Sequence, residues 1–317
     1  MIDSLLNAVS NAQTIGITGH LHPDGDCVGS CMALYRYLKK EYPEKSVSVF
    51  LETPPENLCV LADIPEIDST FTAPELPFDL FVVLDCSSTD RFPAAREMVE
   101  AAGNVYVVDH HMTNTHFAKE GVVEADASST CEVLFNLLDE EKIDTEIATA
   151  LYMGIVHDTG VFKYSCCTER TMRVAGRLLT KGVDAQRLID DTFYRKTFLQ
   201  NRLIGYALLH SQLMLDGKMI VSSLSAAEMA QFGAAIKDTE GIIDQLRLTE
   251  GIEVAVFARE DAENTYKISM RAISAVNVAS ICENFGGGGH RLAGGCTVTG
   301  DLADILTQIS AMVFMQL

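Results

Sequence analysis

Positive charge is scarce in this sequence: 24 Lys and Arg stand against 44 Asp and Glu, a formal net charge of −20 over 317 residues. Such a surface repels long nucleic acid, which is normally gripped by a basic field, so a nucleic-acid substrate would have to be short. No apolar run reaches the length of a membrane span, which argues against a membrane partner. Cysteine occurs nine times, an odd number at spacings that form no disulfide framework, and no secretory leader pattern is read at the start. The expectation is reduced thiols in a cytoplasm. Internal repeats and low-complexity segments are absent. With 48% hydrophobic and 21% charged residues, the chain is ordinary globular material, long enough for two domains with their own cores.

The first half alternates apolar strand-like runs with amphipathic helical stretches. Strands are expected at 14–18, 46–51, 78–84 and 104–108, and helices at 28–40, 91–102, 129–138, 145–157 and 169–180. The nearly continuous apolar run Phe78 to Leu84 reads as a strand covered on both faces. A βαβα order of this kind predicts a doubly wound, mostly parallel sheet. Residues 184–215 read as two helical segments without a strand and serve as a connector. From Gly217 a smaller α/β unit follows: strands at 218–223, 252–258, 265–271 and 296–299, and helices at 225–231, 240–247, 276–284 and 301–315. The domain organisation expected is therefore 1–183, a helical linker 184–215, and 216–317.

Chemistry concentrates in Gly19-His20-Leu21-His22-Pro23-Asp24-Gly25-Asp26, between the 14–18 strand and the next helix. Pro23 and Gly25 argue against a regular element there, so these residues are expected on a loop at the strand's carboxyl end, where ligands of open α/β sheets bind. Three further segments have the same form: Asp85 after the 78–84 strand, Asp109-His110-His111 after the 104–108 strand, and His157-Asp158-Thr159-Gly160 after the 145–157 helix. Each alone has a plainer reading as a helix cap or turn. Together they crowd carboxylates onto one sheet edge, where they would repel by several kcal/mol unless cations intervened. His20, Asp24, Asp26, Asp85, His110 and Asp158 supply four carboxylates and two imidazoles, which suits two hard divalent ions with one carboxylate bridging. Two such ions, roughly 3.5–4 Å apart, clamp the oxygens of an in-line phosphoryl displacement and activate a water. Ser30, Ser87 and Cys27 lie beside the cluster, but no His-activated nucleophile elbow accompanies them.

In the second half, Phe285-Gly286-Gly287-Gly288-Gly289-His290-Arg291 follows a helix. Consecutive glycines let backbone N–H groups approach an anion, and His290 with Arg291 strengthens a phosphate or nucleotide reading. Arg271, ending the 265–271 strand, could aim a fork at the same anion or be a surface arginine.

These motifs, in this order from residue 19 to 295, resemble the DHH/DHHA1 phosphoesterase family, in particular its nanoRNase type of oligoribonuclease and pAp phosphatase. The resemblance implies a DHH metal-binding domain and a substrate-binding DHHA1 domain, with the active site in the cleft between. Carried over by motif, His20, Asp24 and Asp85 hold one Mn²⁺, and Asp26, Asp85, His110 and Asp158 hold the other, with Asp85 bridging. Asp109 orients imidazole, and His111 faces the scissile phosphate. Arg271, His290 and the glycines Gly287, Gly288 and Gly289 bind the nucleotide's other phosphate and its sugar.

The reaction implied is hydrolysis of short oligoribonucleotides, pApA among them, to 5′-mononucleotides such as AMP or GMP, and of pAp to AMP and phosphate, by water activated between two metals. A cytoplasmic homodimer also fits the resemblance. Two features depart from the family pattern. His157 stands where a small hydroxyl residue is common, and Leu292 stands where the position is often polar. Two other readings are a hydrolase of inorganic pyrophosphate or polyphosphate, and a non-catalytic nucleotide-binding module.

Overall fold

A computed structural model describes residues 2–72 and 77–317. The chain divides into two compact units, Met1–Arg195 and Lys196–Leu317.

The first unit is built on a six-stranded sheet, β1 (Thr14–Thr18), β2 (Ser46–Phe50), β3 (Ile67–Asp68), β4 (Leu80–Leu84), β5 (Asn104–Asp109) and β6 (Glu120–Val123). The spatial order is β3-β2-β1-β4-β5-β6, and every pairing is parallel. Helices α1 (Ile2–Asn11), α2 (Gly25–Glu41), α3 (Arg96–Ala101), α4 (Thr130–Leu137), α5 (Thr145–Asp158), α6 (Glu169–Leu179) and α7 (Ala185–Ile189) complete the unit. The strand pleat explains why β4 is apolar throughout. Leu80, Val82 and Leu84 point into the larger core beneath α1, α2, α4, α5 and α6. Phe81 and Val83 point into a second core with Phe50, Phe78, Phe92, Met98 and Val107. There Phe78 meets Phe81 edge-on with ring centroids 5.4 Å apart, and the Phe81 ring lies over Gly16, where a Cβ would come within 2.4 Å of it. The doubly wound parallel sheet expected from the sequence is present.

Several boundaries differ. Helix α2 begins at Gly25, not Val28, because Asp24 caps it, accepting hydrogen bonds from the N–H groups of Asp26 and Cys27. Asp26 therefore lies in the first helical turn and not on a loop. The expected helix at 91–102 shrinks to α3, since Pro93 precedes it and 89–91 forms a separate 3₁₀ turn. Strands β3 and β6 went unanticipated: β3 is two residues long, and β6 is a half-exposed edge strand interrupted by Gly121.

The second unit comprises α8 (Phe198–Leu209), β7 (Gln212–Met214), β8 (Met219–Leu224), α9 (Ala226–Phe232), α10 (Ile242–Arg247), β9 (Val254–Ala262), β10 (Thr265–Ala272), α11 (Val278–Glu283), β11 (Gly288–His290), β12 (Ala293–Thr299) and α12 (Leu302–Phe314). Its sheet runs β11-β12-β10-β9-β8-β7, with β8 and β9 parallel and the other pairs antiparallel. One face packs on α11 and α12; the other packs on Leu203 and Ala207 of α8 and on α9 and α10. Residues 184–215 thus do contain a strand, β7, which pairs with β8 as a short edge. A π-helical turn at Asp190–Tyr194 follows α7. No helix among the described residues is long and apolar enough to cross a membrane.

Helices α2 and α5 touch backbone to backbone. A Cβ on Gly29 would lie 2.5 Å from the Ala150 carbonyl and 3.1 Å from Gly154 N. Gly29→Ala should therefore lower stability by about 1–3 kcal/mol despite alanine's better helix propensity, because the overpacking exceeds the gain. Thermal unfolding measures it, and an unchanged or raised Tm would contradict the close crossing.

Candidate metal centre

Because β1, β4 and β5 are parallel, their carboxyl ends share one edge of the first unit's sheet, and the candidate residues leave from there. His20 follows β1, Asp85 follows β4, and Asp109 ends β5 with His110 and His111 directly after it. Asp24 and Asp26 come from the start of α2, and Asp158 from the end of α5. The glycines at the helix crossing bring these last two elements together: Gly154 lies so near Asp26 that a Cβ there would be 2.6 Å from its Oδ1.

Asp85 is central. It is buried and holds φ +58, a conformation in which a non-glycine residue is strained. Its Oδ2 lies 3.3 Å from His20 Nε2, and its Oδ1 lies 3.6 Å from His110 Nε2. The two oxygens of one carboxylate thus face two different imidazoles, as a bridging ligand requires. His110 Nε2 also lies 3.1 Å from Asp158 Oδ2, and His20 Nε2 lies 3.6 Å from Asp24 Oδ2. Both rings are oriented alike from behind: His20 Nδ1–H donates to the Leu21 carbonyl at 2.8 Å and His110 Nδ1–H to the Ala127 carbonyl at 3.4 Å. Each Nε2 is thereby turned to the carboxylates, the arrangement of a ligating histidine.

Asp24 is both cap and site residue. Its Oδ1 accepts the α2 N–H groups of Asp26 and Cys27, while Oδ2 turns to His20. Asp26 is wholly buried, and its oxygens accept N–H bonds from Thr130 at 2.6 Å and Cys131 at 2.9 Å. Asp109 Oδ1 accepts from His111 Nδ1–H at 2.7 Å, and its Oδ2 accepts from Asn114 Nδ2 at 2.6 Å.

The electrostatics show a site short of positive charge. Burial opposes a charge on His20, but its hydrogen bonds to Asp24 and Asp85 outweigh that and push the imidazole up to about 12. His110 is pushed up to about 10, burial again being overcome by the hydrogen bond to Asp158 and the charge of Asp26. Burial together with the charges of Asp85 and Asp158 lifts Asp26 well above the usual carboxylate range. Burial lifts Asp158 to about 6 against the pull of His110. Partial desolvation pushes Asp24 up, but its side chain is 57% exposed and His20 draws it down to about 2. Without another cation, protons fill that role.

Among the described residues three groups of donor atoms lie within 4.8 Å of one another: Asp26–His110–Asp158, Asp85–His110–His111 and His20–Cys27–Asp85. They overlap at His110 and Asp85, and the oxygen and imidazole donors suit hard divalent ions; Asp24 belongs to none of the three groups, although its Oδ2 lies 3.6 Å from His20 Nε2. Cys27 is a buried thiol that sequence reasoning placed only beside the cluster; its i+3 spacing from Asp24 on one helix is the signal that could have found it. Thr130 and Asn114 were also missed, because their partners lie 45 residues away in Asp85 and 5 away in Asp109 without a motif to link them. His157 fills space. Its Nε2–H donates to Thr192 Oγ1 at 3.0 Å, and its ring packs edge-on to Phe193 and against Gly25. Burial holds it below its ordinary pKa.

The second unit holds the other candidates. The run at 286–289 is half loop and half strand: Gly286 and Gly287 lead out of the turn after α11, while Gly288 and Gly289, with His290, pair with Gly295, Gly294 and Ala293. Gly287 and Gly289 have a packing reason, since a Cβ would lie 2.2 Å from the Gly295 carbonyl and 2.3 Å from the Ala293 carbonyl, respectively; at Gly288 the space is open. His290, Ala293 and Arg271 fall in one register row across β11, β12 and β10, so their side chains share a face with only a small alanine between. Arg271 Nη1 donates to the Met270 carbonyl, and Nε lies 3.9 Å from Asp244. Arg291 Nη2 donates to the Ala275 carbonyl.

Comparison with known proteins shows the family of the chain. Residues 14–155 match the DHH family, N-terminal domain, and residues 216–313 match the DHHA1 domain. The chain is 31% identical over 303 residues to the bifunctional oligoribonuclease and PAP phosphatase NrnA of Thermus thermophilus, covering 95% of this chain and 88% of that protein. It is 26% identical over 304 residues to the protein of the same description in Bacillus subtilis, covering 94% and 93%. In three dimensions it is similar to an exopolyphosphatase-related protein of Bacteroides fragilis, with a TM-score of 0.87 at 24% identity over 99% of this chain and 95% of that one.

Metal ligands must be deprotonated, so divalent metal should displace protons that His20 and His110 carry near neutral pH. Affinity for Mn²⁺ should tighten as pH rises from mildly acidic to mildly alkaline. Calorimetric titration in buffers of different ionisation enthalpy should show net proton release; a heat independent of buffer would contradict it.

Proposed function

The chain belongs to the DHH family, and from that premise we propose that it is a metal-dependent phosphoesterase that hydrolyses di- to pentaribonucleotides, including pApA, to 5′-mononucleotides and pAp to AMP and phosphate. The observation that carries this reading is the convergence of His20, Asp24, Asp26, Asp85, His110 and Asp158 on one sheet edge, with the Asp85 oxygens divided between two imidazoles. The names of the relatives from Thermus thermophilus and Bacillus subtilis support the substrate class.

His20, Asp24 and Asp85 would hold one ion, and Asp26, Asp85, His110 and Asp158 the other; Mn²⁺ suits this mixture of hard oxygen and imidazole donors. When bound, the ions supply Lewis acidity at the phosphate oxygens and lower the pKa of water.

The remaining work falls to the chain's own groups. Asp109, buried and held by Asn114, accepts from His111 Nδ1–H and favours the protonated imidazole, its pKa raised by that bond against the effect of burial. His111 is half-exposed, so Nε2–H is free to donate to a phosphate oxygen and to stabilise charge as the P–O3′ bond breaks. One site serves both substrates because the bond broken is P–O3′ in each. Arg271, His290 and the glycines Gly287, Gly288 and Gly289 bind the second phosphate and the sugar, and favour substrates whose remaining piece is small. The acidic surface, at −20, agrees with short substrates in place of long nucleic acid.

Purified protein with Mn²⁺ should release AMP from pApA, and EDTA should stop it. Asp85→Asn should lower kcat by at least about a hundredfold, the scale of losing a central electrostatic stabiliser. Failure of well-folded, metal-loaded protein to release AMP, with turnover of pyrophosphate or polyphosphate instead, would overturn the substrate assignment. Arg271→Ala should raise KM for pAp about tenfold, ~1.4 kcal/mol, with kcat little changed. An unchanged KM would remove Arg271 from the anion grip.

A further inference from the structure

Glu132 is a buried carboxylate that the proposed reaction does not use. It is wholly buried in the first turn of α4, and its partners arrive from three directions. Oε1 pairs with Arg170 Nε at 2.9 Å. Oε2 accepts from Ser128 N at 3.2 Å, Ser128 Oγ at 2.5 Å and Thr171 Oγ1 at 2.8 Å. The other end of Arg170 meets Glu124, just after β6, at 2.5 Å, and Glu124 N donates to the Asp109 carbonyl. The start of α6 is thereby tied to both ends of the segment that joins β6 to α4.

That segment and the first turn of α4 touch three of the six proposed ligands. The Ala127 carbonyl accepts from His110 Nδ1–H. The N–H groups of Thr130 and Cys131 donate to the two oxygens of Asp26. Thr130 Oγ1 donates to Asp85 Oδ1 at 3.0 Å. Residues 127–131 therefore form a frame behind the metal centre, and Glu132 is the next residue along.

Glu132 is buried and Arg170 is partly exposed, so the pair is a weak source of stability: desolvation of the carboxylate offsets the attraction, and an apolar pair of similar size often serves as well. Its partners on both sides of the segment point to a role in geometry instead. We propose that the Glu132–Arg170 pair is a positioning device for the metal centre: it fixes residues 127–131 so that Asp26, Asp85 and His110 present their donor atoms in register, and neither member touches an ion or substrate. The inference rests on the proposal that those three residues are ligands.

The test is Mn²⁺ binding, followed by the electron paramagnetic resonance of the free ion, in wild type and in the double variant Glu132→Gln/Arg170→Met, which removes both charges of the pair and frees only the partly exposed carboxylate of Glu124. The variant should bind Mn²⁺ about tenfold to a hundredfold more weakly, the usual cost of losing a group that orients ligands. At saturating Mn²⁺ its kcat should recover toward wild type with KM for pAp unchanged. A purely structural pair would lower the Tm of the metal-free protein and leave Mn²⁺ affinity alone, and that result would overturn the proposal. Should the double variant not fold, Arg170→Lys decides. It keeps the charge but loses the fork that joins Glu132 to Glu124, and should weaken Mn²⁺ binding in the same direction, whereas wild-type affinity would overturn the proposal. Wild type that binds fewer than two Mn²⁺ per chain would instead overturn the two-ion reading, independently of either variant.

Discussion

Buried negative charge has to be neutralised, and in this protein that requirement centres on Asp85. Its carboxylate is 2% exposed, sits on a strained backbone and divides its oxygens between His20 and His110. Asp24, Asp26 and Asp158 crowd the same edge of the sheet. Four carboxylates so close call for protons or cations between them, and the elevated affinities of both imidazoles for protons are the sign of that demand. The parallel sheet meets it by bringing three strand ends to one edge. The contact of α2 with α5 at Gly29 and Gly154 adds Asp26 and Asp158. The core thus serves the site: side chains at the helix crossing are absent so that carboxylates can approach.

A second layer governs how the charges are aimed. His20 and His110 are turned by backbone carbonyls, Asp26 by two N–H groups at the start of α4, and His111 by Asp109 and Asn114. Almost every group near the centre has a protein partner behind it, which leaves its remaining lone pairs directed inward. Such preorganisation matters for phosphoryl transfer, where catalysis is positioning and electrostatics far more than covalent chemistry.

Much of this was legible in the sequence because the signals were local. Apolar runs ending in acid or imidazole marked strand ends, and a parallel sheet necessarily collects them. Asp24 and Asp26 were read as loop residues because Pro23 and Gly25 look like breakers. In fact Asp24 is an N-cap and Gly25 is the first helical residue, chosen because His157 packs on it. The glycine run reads as a loop for the same reason, which holds for Gly286 and Gly287; cross-strand pairing with β12 makes Gly288 and Gly289 a strand, and strand pairing of glycines leaves no periodic pattern. Thr130, Glu132 and Arg170 carried no local signal at all. Their meaning lies in partners far along the chain, Asp85 and Asp26 among them, and only the fold shows it.

The most direct measurement of the central claim is a Mn²⁺-loaded crystal examined by anomalous scattering at the manganese edge. The account predicts two peaks per chain, roughly 3.5–4 Å apart, with one Asp85 oxygen on each, His20 on one ion and His110 on the other. A single peak, or two peaks with Asp85 touching only one of them, would contradict it.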